Sequence, residues 1–428
     1  MNIYFKDIRV LNPAQGLDIE KANLWIKNGL IAFCGESQPS IDPDTRVVEA
    51  AGWVCSPGLF DMHVHFRDPG YEYKEDIFSG CRSAANGGFT GVVCMPNTNP
   101  IIDNAQVVDY IRRKAAPCLT DVFVSATITQ KQESELLSPM FELHDNGAVM
   151  FTDDGAAVNN ANIMRRAFDY AMTKDLLLAQ HCEERTLSQN FSMNESVVSE
   201  RLGLSGYPAI AEEILLMRDL MLAEFCGNPR YHVQHISTRG AVRLVADAKK
   251  RSMRVSCEVA PHHFTLNDEL IATYSSNYKM NPPLRTQKDV DAILDAIANG
   301  TIDCIASDHA PHALNEKDVE FESAPNGVIG LETTLGVALT QLVHRNIIGL
   351  DRLIELMAIN PRKLLNMTAI EITEGTWANI SIFDPNEEWI VDSKMFKSKA
   401  TNTCFDGMKL KGKPKFTINK NQMTECEL

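Results

Sequence analysis

The run "SPGLFDMHVHFRDPG", Ser56 to Gly70, places two histidines, an arginine and two aspartates in one short segment. Along a strand side chains alternate between faces, so His63 and His65 point the same way and can share a partner. Val64 points oppositely, while Arg67, Asp68, Pro69 and Gly70 leave the strand as a polar turn. Similar residues end later apolar runs: Asp153 and Asp154 in "GAVMFTDD", His181 in "LLLAQHCE", His235 in "YHVQHIS" and Asp308 in "IDCIASDHAPH". Four neutral imidazoles and two carboxylates match the nitrogen and oxygen ligands of zinc or a related first-row divalent ion. Six ligands suffice for two metals bridged by one carboxylate, a pair that can hold a hydroxide and polarise a carbonyl in amide hydrolysis. Seven such polar groups at one mouth would cost desolvation without a shared cation. His144 and His344 fall on helical segments and receive no role. His232 is out of phase with Tyr231, Val233 and His235, so it is expected to face the opposite side from His235 and reads as structural. His262 and His263 end another run, where hydrogen bonding to a ligand and direct contact both stay open.

Groups so far apart in sequence need a scaffold that brings strand ends together. Eight β-rich runs occur between Ser56 and about Leu365, at 58–65, 90–98, 121–129, 147–154, 176–183, 231–237, 254–263 and 302–312. Helical patterns such as "NIMRRAFDYAMTK" and "RGAVRLVADAKKR" lie between them. Eight alternating units predict an α/β fold, a TIM-like (β/α)8 barrel with its site at the carboxyl ends of the strands. A doubly wound open sheet is the alternative, but it would split the polar groups between two places. Residues 1–55 and 370–428 read as short strands and turns, predicting one small, sandwich-like β domain built from both termini around a barrel over 56–369. The polar stretch 187–208 predicts a long loop over the barrel mouth or an irregular helical excursion.

The 428 residues, 44% hydrophobic and 23% charged, suit a globular enzyme with a sizeable core. No apolar run is long enough for a membrane span, and the start "MNIYFKDIRV" lacks a signal-peptide core, so the cytoplasm is the expected compartment. Eleven scattered cysteines without a C-x-x-C pair argue against a disulfide framework or a zinc ribbon. A net charge of -15 speaks against nucleic acid or an anionic membrane as partner, so an anionic substrate needs a local cationic site.

The series "DMHVHFRDPG", "MPNTNP", "FTDDGAAV", "QHCEE", "HVQHIST", "YKMNPPLR" and "SDHAPH" resembles, in order, the motifs of the dihydroorotase family in its bacterial type I form, within the amidohydrolase superfamily. The resemblance implies interconversion of N-carbamoyl-L-aspartate and L-dihydroorotate plus water, a step of pyrimidine synthesis. It also implies two zinc ions per subunit, a homodimer, and aspartate transcarbamoylase as an associated enzyme. Carried onto this chain, His63, His65 and Asp308 would bind one metal and His181 and His235 the other, with Asp154 as the bridge and Asp153 orienting its loop. Hydantoinases, dihydropyrimidinases and allantoinases are similar too, but bridge their metals with a carboxylated lysine, and "GAVMFTDDG" has no lysine. Arg67 would pair with the substrate carboxylate, with His65, Asn97 and His312 as companions and Asn281 fixing the ring amide. For Asn97 and Asn281 a turn-forming role stays open.

The mechanism this implies has the bridging hydroxide attack the ring amide carbonyl while Asp308 takes the proton and returns it to the leaving nitrogen. The segment 312–330 could close as a lid. It departs from the family at Asn326, where an aromatic residue is frequent, and Asn326 and Gly327 are expected to touch substrate. Two rivals remain: another cyclic amidase acting on rings without a carboxylate, and a catalytically silent scaffold homologue, which would be expected to have lost metal ligands.

Overall fold

From Leu59 onward strand and helix alternate through residue 364 in a computed structural model that describes residues 1–428. The eight strands are Leu59–Val64, Phe89–Cys94, Asp121–Ala126, Ala148–Phe151, Leu178–Gln180, Tyr231–Val233, Val255–Val259 and Cys304–Ile305. They pair in sequence order in one parallel sheet. A bridge between Val64 and His309, with the His65 N–H donating to the His309 carbonyl at 2.8 Å, joins the last strand to the first. The result is the TIM-like barrel, not the open sheet.

Every strand is shorter than the apolar run that predicted it. The eighth run, 302–312, yields a ladder of two residues because the chain turns out of the sheet at Asp308, whose φ is +49°. Arg67 and His235 also occupy the left-handed region, at +61° and +31°. Such backbone persists in residues with a Cβ only where surroundings over-determine it, commonly at functional sites. The polar ends of the runs therefore sit on loops at the barrel mouth rather than in the ladder.

Helix starts follow capping chemistry. Asp76 accepts from the Ser79 N–H ahead of Ile77–Asn86, and Thr238 accepts from the Ala241 N–H ahead of Arg239–Lys250. Apolar side chains from strands one, two, four, five and eight, among them Phe60, Met62, Val93, Met150 and Cys304, meet in one buried cluster. Each large apolar side chain so buried contributes about 1.5–3 kcal/mol.

Strands from both termini share a separate eight-stranded sheet. Asn2–Asn12 pairs with Leu17–Lys27, and Val54–Pro57 pairs with Asn379–Ile390 of the C-terminal segment. Its apolar side chains, including Phe5, Leu24, Ile380 and Phe416, form their own cluster. Within 187–208 the two-residue strands Met193–Asn194 and Gly206–Tyr207 flank the helix Val197–Leu202, so loop and helical excursion both occur.

Candidate active site

Two ligand sets meet at Asp154. Its Oδ1 lies 3.3 Å from His63 Nε2 and 3.7 Å from His235 Nε2, and its Oδ2 lies 3.4 Å from His65 Nε2. His181 Nδ1 is 2.8 Å from His235 Nε2. The groups His63, His65, Asp154 and Asp154, His181, His235 each gather ligand atoms around one point, and all are buried. Asp308 Oδ1 stands 3.2 Å from His65 Nε2 and 3.5 Å from His63 Nε2.

These residues fit a pair of divalent ions. His63 Nε2 and Asp154 Oδ1 are buried with no hydrogen-bond partner, a cost that a shared cation removes. Burial alone would raise the Asp154 carboxyl, but the imidazoles of His63, His235 and His65 hold it well below the carboxylate range. Its neighbour Asp153 points elsewhere, accepting from the backbone N–H groups of Ile128 and Thr129. Burial pushes Asp153 up to about 6 despite those bonds. Asp153 thus braces the loop that carries Asp154.

Orientation of the imidazoles comes from acceptors on their far sides. His65 Nδ1 donates to Asn97 Oδ1 at 2.9 Å, and His181 Nε2 donates to Glu183 Oε2 at 2.8 Å. His63 Nδ1 donates to Glu258 Oε1 at 2.6 Å. Burial would raise Glu183 and Glu258, but their histidine partners outweigh it: Glu183 falls to about 2 and Glu258 is lowered too. Sequence reading missed both glutamates. For Glu183 the signal was its place two residues after His181, and for Glu258 a lone carboxylate inside the apolar run "RVSCEV". His232, expected on the side opposite His235, instead faces into the barrel toward Glu258 at 3.2 Å: Tyr231 and Val233 take the outer face, and the positive φ of His235 breaks the alternation that the expectation assumed. His262 and His263 lie on a short turn after strand seven, with His263 Nε2 donating to the Pro282 carbonyl, and neither joins a ligand set.

Above the aspartates opens a cavity of about 630 Å³. His65, Arg67, Asn97, Asp154, His181, His235, Asn281, Asp308, His312, Asn326 and Gly327 all line it, while His63 is buried beneath. Arg67 donates to the Pro311 carbonyl, and Asp68 pairs instead with Lys114 at 2.7 Å, so the guanidinium is not spent on its neighbour. The amide of Asn281 donates to Glu183 Oε2 at 3.1 Å and leaves Oδ1 buried without a partner. His312 Nε2 donates to the Asn326 carbonyl at 2.9 Å. Burial, with Arg67 and Lys74 nearby, pushes His312 down to about 3 and keeps it neutral.

The segment 312–330 stands against this mouth. Lys317 donates to the carbonyls of Pro325 and Gly327 at 3.0 and 2.9 Å, fixing the turn that carries Asn326. Gly327 has φ +132°, and a Cβ there would lie 2.9 Å from the Ala310 side chain. The excursion after strand five adds Ser188 to Phe191 to the lining, with Arg185, none of which the motifs had marked, and Glu183, which the "QHCEE" motif contains but to which no role was given.

Comparison with known proteins gives one consistent result. A family profile described as "Dihydro-orotase-like" matches residues 52–241. The chain is 44% identical over 428 residues to the dihydroorotase of Syntrophus aciditrophicus (strain SB), covering 100% of both chains. It is 46% identical over 419 residues to that of Geotalea daltonii, covering 98% of each. Among solved structures, the L-hydantoinase (dihydropyrimidinase) of Arthrobacter aurescens superposes with a TM-score of 0.86 at 23% identity, over 100% of this chain and 96% of that one, which supports the fold.

Proposed function

The chain belongs to the dihydroorotase family, and on that premise we propose that it interconverts N-carbamoyl-L-aspartate and L-dihydroorotate, with zinc as its metal. Membership makes it a hydrolase of cyclic amides. The observation that carries the assignment to this site is Asp154, within 3.7 Å of imidazoles from both ligand sets beneath a cavity that Arg67 lines.

His63, His65 and Asp154 would hold one ion, with Asp308 beside it, and Asp154, His181 and His235 the other. Bound there, a pair of divalent ions polarises the ring carbonyl and supplies a nucleophile at neutral pH. The chain's own groups do the rest. Arg67 binds the ring carboxylate through its planar fork. Asn281 Oδ1, buried and unpartnered, accepts from a ring N–H. Asp308 takes a proton on ring opening and returns it to the leaving nitrogen, and starts protonated on ring closure. His312 holds the Asn326 turn in place against the substrate.

Residues 56–369 are then the catalytic barrel, and 1–55 with 370–428 the accessory β domain: the terminal strands keep an apolar cluster of their own, while Leu11, Val54, Phe383, Trp389 and Leu410 pack into the barrel's cluster and seat the domain against it. Eleven unpaired cysteines support a reducing cytoplasmic compartment; no helix is long and apolar enough to cross a membrane. A homodimer is supported by the helix Ile210–Phe225, which exposes Ile210, Ile214, Met217, Met221 and Phe225 along one side.

The test is the rate of L-dihydroorotate ring opening by the purified protein and by Asp308→Ala, beside hydantoin, dihydrouracil and allantoin. Turnover of dihydroorotate that is lost in the variant is the expected result. Preference for the uncharged rings would move the protein to the rival amidases, and zinc binding without any turnover would favour the scaffold.

A further inference from the structure

We infer that Glu258 is a positioning residue for both halves of the metal site, the hub of a buried hydrogen-bond chain running Ser256–His232–Glu258–His63. The role rests on reading the site as a metal centre. Glu258 lies on the seventh barrel strand and is 1% exposed. Its Oε1 is 2.6 Å from His63 Nδ1 and 3.3 Å from the His235 backbone nitrogen, and its Oε2 is 3.2 Å from His232 Nε2. His232 Nδ1 lies in turn 2.8 Å from Ser256 Oγ.

Donor directions follow along the chain. A carboxylate only accepts, so His63 carries hydrogen on Nδ1 and His232 carries it on Nε2. That leaves His232 Nδ1 as an acceptor for the Ser256 hydroxyl. With hydrogen on Nδ1, His63 Nε2 is the bare nitrogen, and it is the one that faces Asp154 and has no hydrogen-bond partner. A competing donor exists: the Gln234 amide nitrogen is 3.3 Å from the same His63 Nδ1. Were it to win, the hydrogen would move to Nε2 and block the ligand position. The charge-assisted bond at 2.6 Å is shorter and stronger, so Glu258 prevails.

The second arm reaches the other half of the site. His235 holds φ +31°, a conformation that needs support. Its N–H is directed to Glu258 Oε1, and the next residue's N–H donates to the Glu258 backbone carbonyl at 2.9 Å. One residue thus fixes the ring of His63 and the backbone of His235. Ser256, at the far end of the chain, lines a separate cavity with Arg230 and Arg254, away from the catalytic mouth.

The experiment measures zinc dissociation constants of the full-length protein by chelator competition, for the wild type, Glu258→Gln, His232→Phe and Ser256→Ala. Glu258→Gln is expected to weaken zinc roughly ten- to a hundred-fold at both sites, with smaller losses down the chain. Thermal midpoints of the metal-free proteins separate this from a general loss of fold. Equal zinc affinity in the wild type and Glu258→Gln would overturn the inference. If that variant does not fold, ¹⁵N NMR of His63 in the wild type and Ser256→Ala decides: a hydrogen-bonded Nδ1–H that shifts in the variant supports the chain, and a bare Nδ1 sinks it. The Nδ1 state is read with or without metal, so a wild type that binds no zinc would overturn the metal reading separately.

Discussion

Asn97 Oδ1 lies 2.9 Å from His65 Nδ1, and this contact decides which nitrogen of His65 faces the aspartates. With hydrogen on Nδ1, Nε2 is left bare toward Asp154 at 3.4 Å and Asp308 at 3.2 Å. Asn97→Ala is therefore expected to lower zinc affinity and kcat/KM for dihydroorotate by roughly ten- to a hundred-fold. Asn97→Asp keeps the acceptor but adds a negative charge beside the cavity, so zinc binding should survive while KM for the anionic substrate rises. Chelator competition beside steady-state kinetics separates the two effects. Unchanged zinc affinity in the alanine variant would leave Asn97 with a substrate role alone.

Arg67 offers the second test, because charge and shape can be separated there. Arg67→Lys keeps the cation and loses the planar fork. Charged hydrogen bonds contribute about 1.5–3 kcal/mol each, so losing one predicts a ten- to hundred-fold rise in KM for dihydroorotate. Any activity toward dihydrouracil, which lacks the carboxylate, should be untouched by the same change. Equal losses on both rings would show that Arg67 supports the turn through Pro311 rather than the substrate.

The barrel was legible because most of its strands are short apolar runs buried on both faces, and six of the eight runs carry a histidine or aspartate at or near their ends. Where the runs stop being ladder was not legible. Backbone at His235 and Asp308 leaves the sheet through positive φ, which residue type does not announce. The ligands were readable from spacing and motif, but their supports were not. Glu258 acts on His63 across 195 positions of sequence, and only the closed barrel brings them to 2.6 Å. Glu183 was nearer at hand, two residues beyond His181, yet a glutamate after "HC" reads as surface until the strand end is seen to be buried.

Ring closure takes up a proton, since the dicarboxylate N-carbamoyl-L-aspartate becomes the monocarboxylate dihydroorotate. Burial would raise the Asp308 carboxyl, but the imidazoles of His63, His65 and His235 hold it below its ordinary value. Near neutral pH it is ionised, ready to accept a proton on ring opening, while ring closure draws on a scarce protonated form. The cyclisation rate should fall about tenfold per pH unit through the neutral range, while opening stays nearly level. Asp308→Asn should lower both directions by roughly 10²–10⁴. Cyclisation indifferent to pH would remove Asp308 from the proton-transfer role.

Glu332 carries a prediction about stability instead. It is buried where Ser83 and Asn86 of the first barrel helix meet the 397–398 segment, accepting from both side chains and from the Lys397 N–H. Burial raises its carboxyl from 4.5 to about 7, against those donors. The folded value is the higher one, so the neutral acid's contribution is complete below 4.5, where both states are protonated. As pH rises the unfolded chain ionises first, and that contribution is lost by about pH 7. The shift corresponds to about 3 kcal/mol across that window. Glu332→Gln cannot ionise, so its thermal midpoint should fall less than the wild type's between pH 4.5 and 7.5, the two profiles running parallel above that. Parallel profiles throughout would mean that these donors keep Glu332 ionised in the fold and that the helix–segment junction is held by an anion.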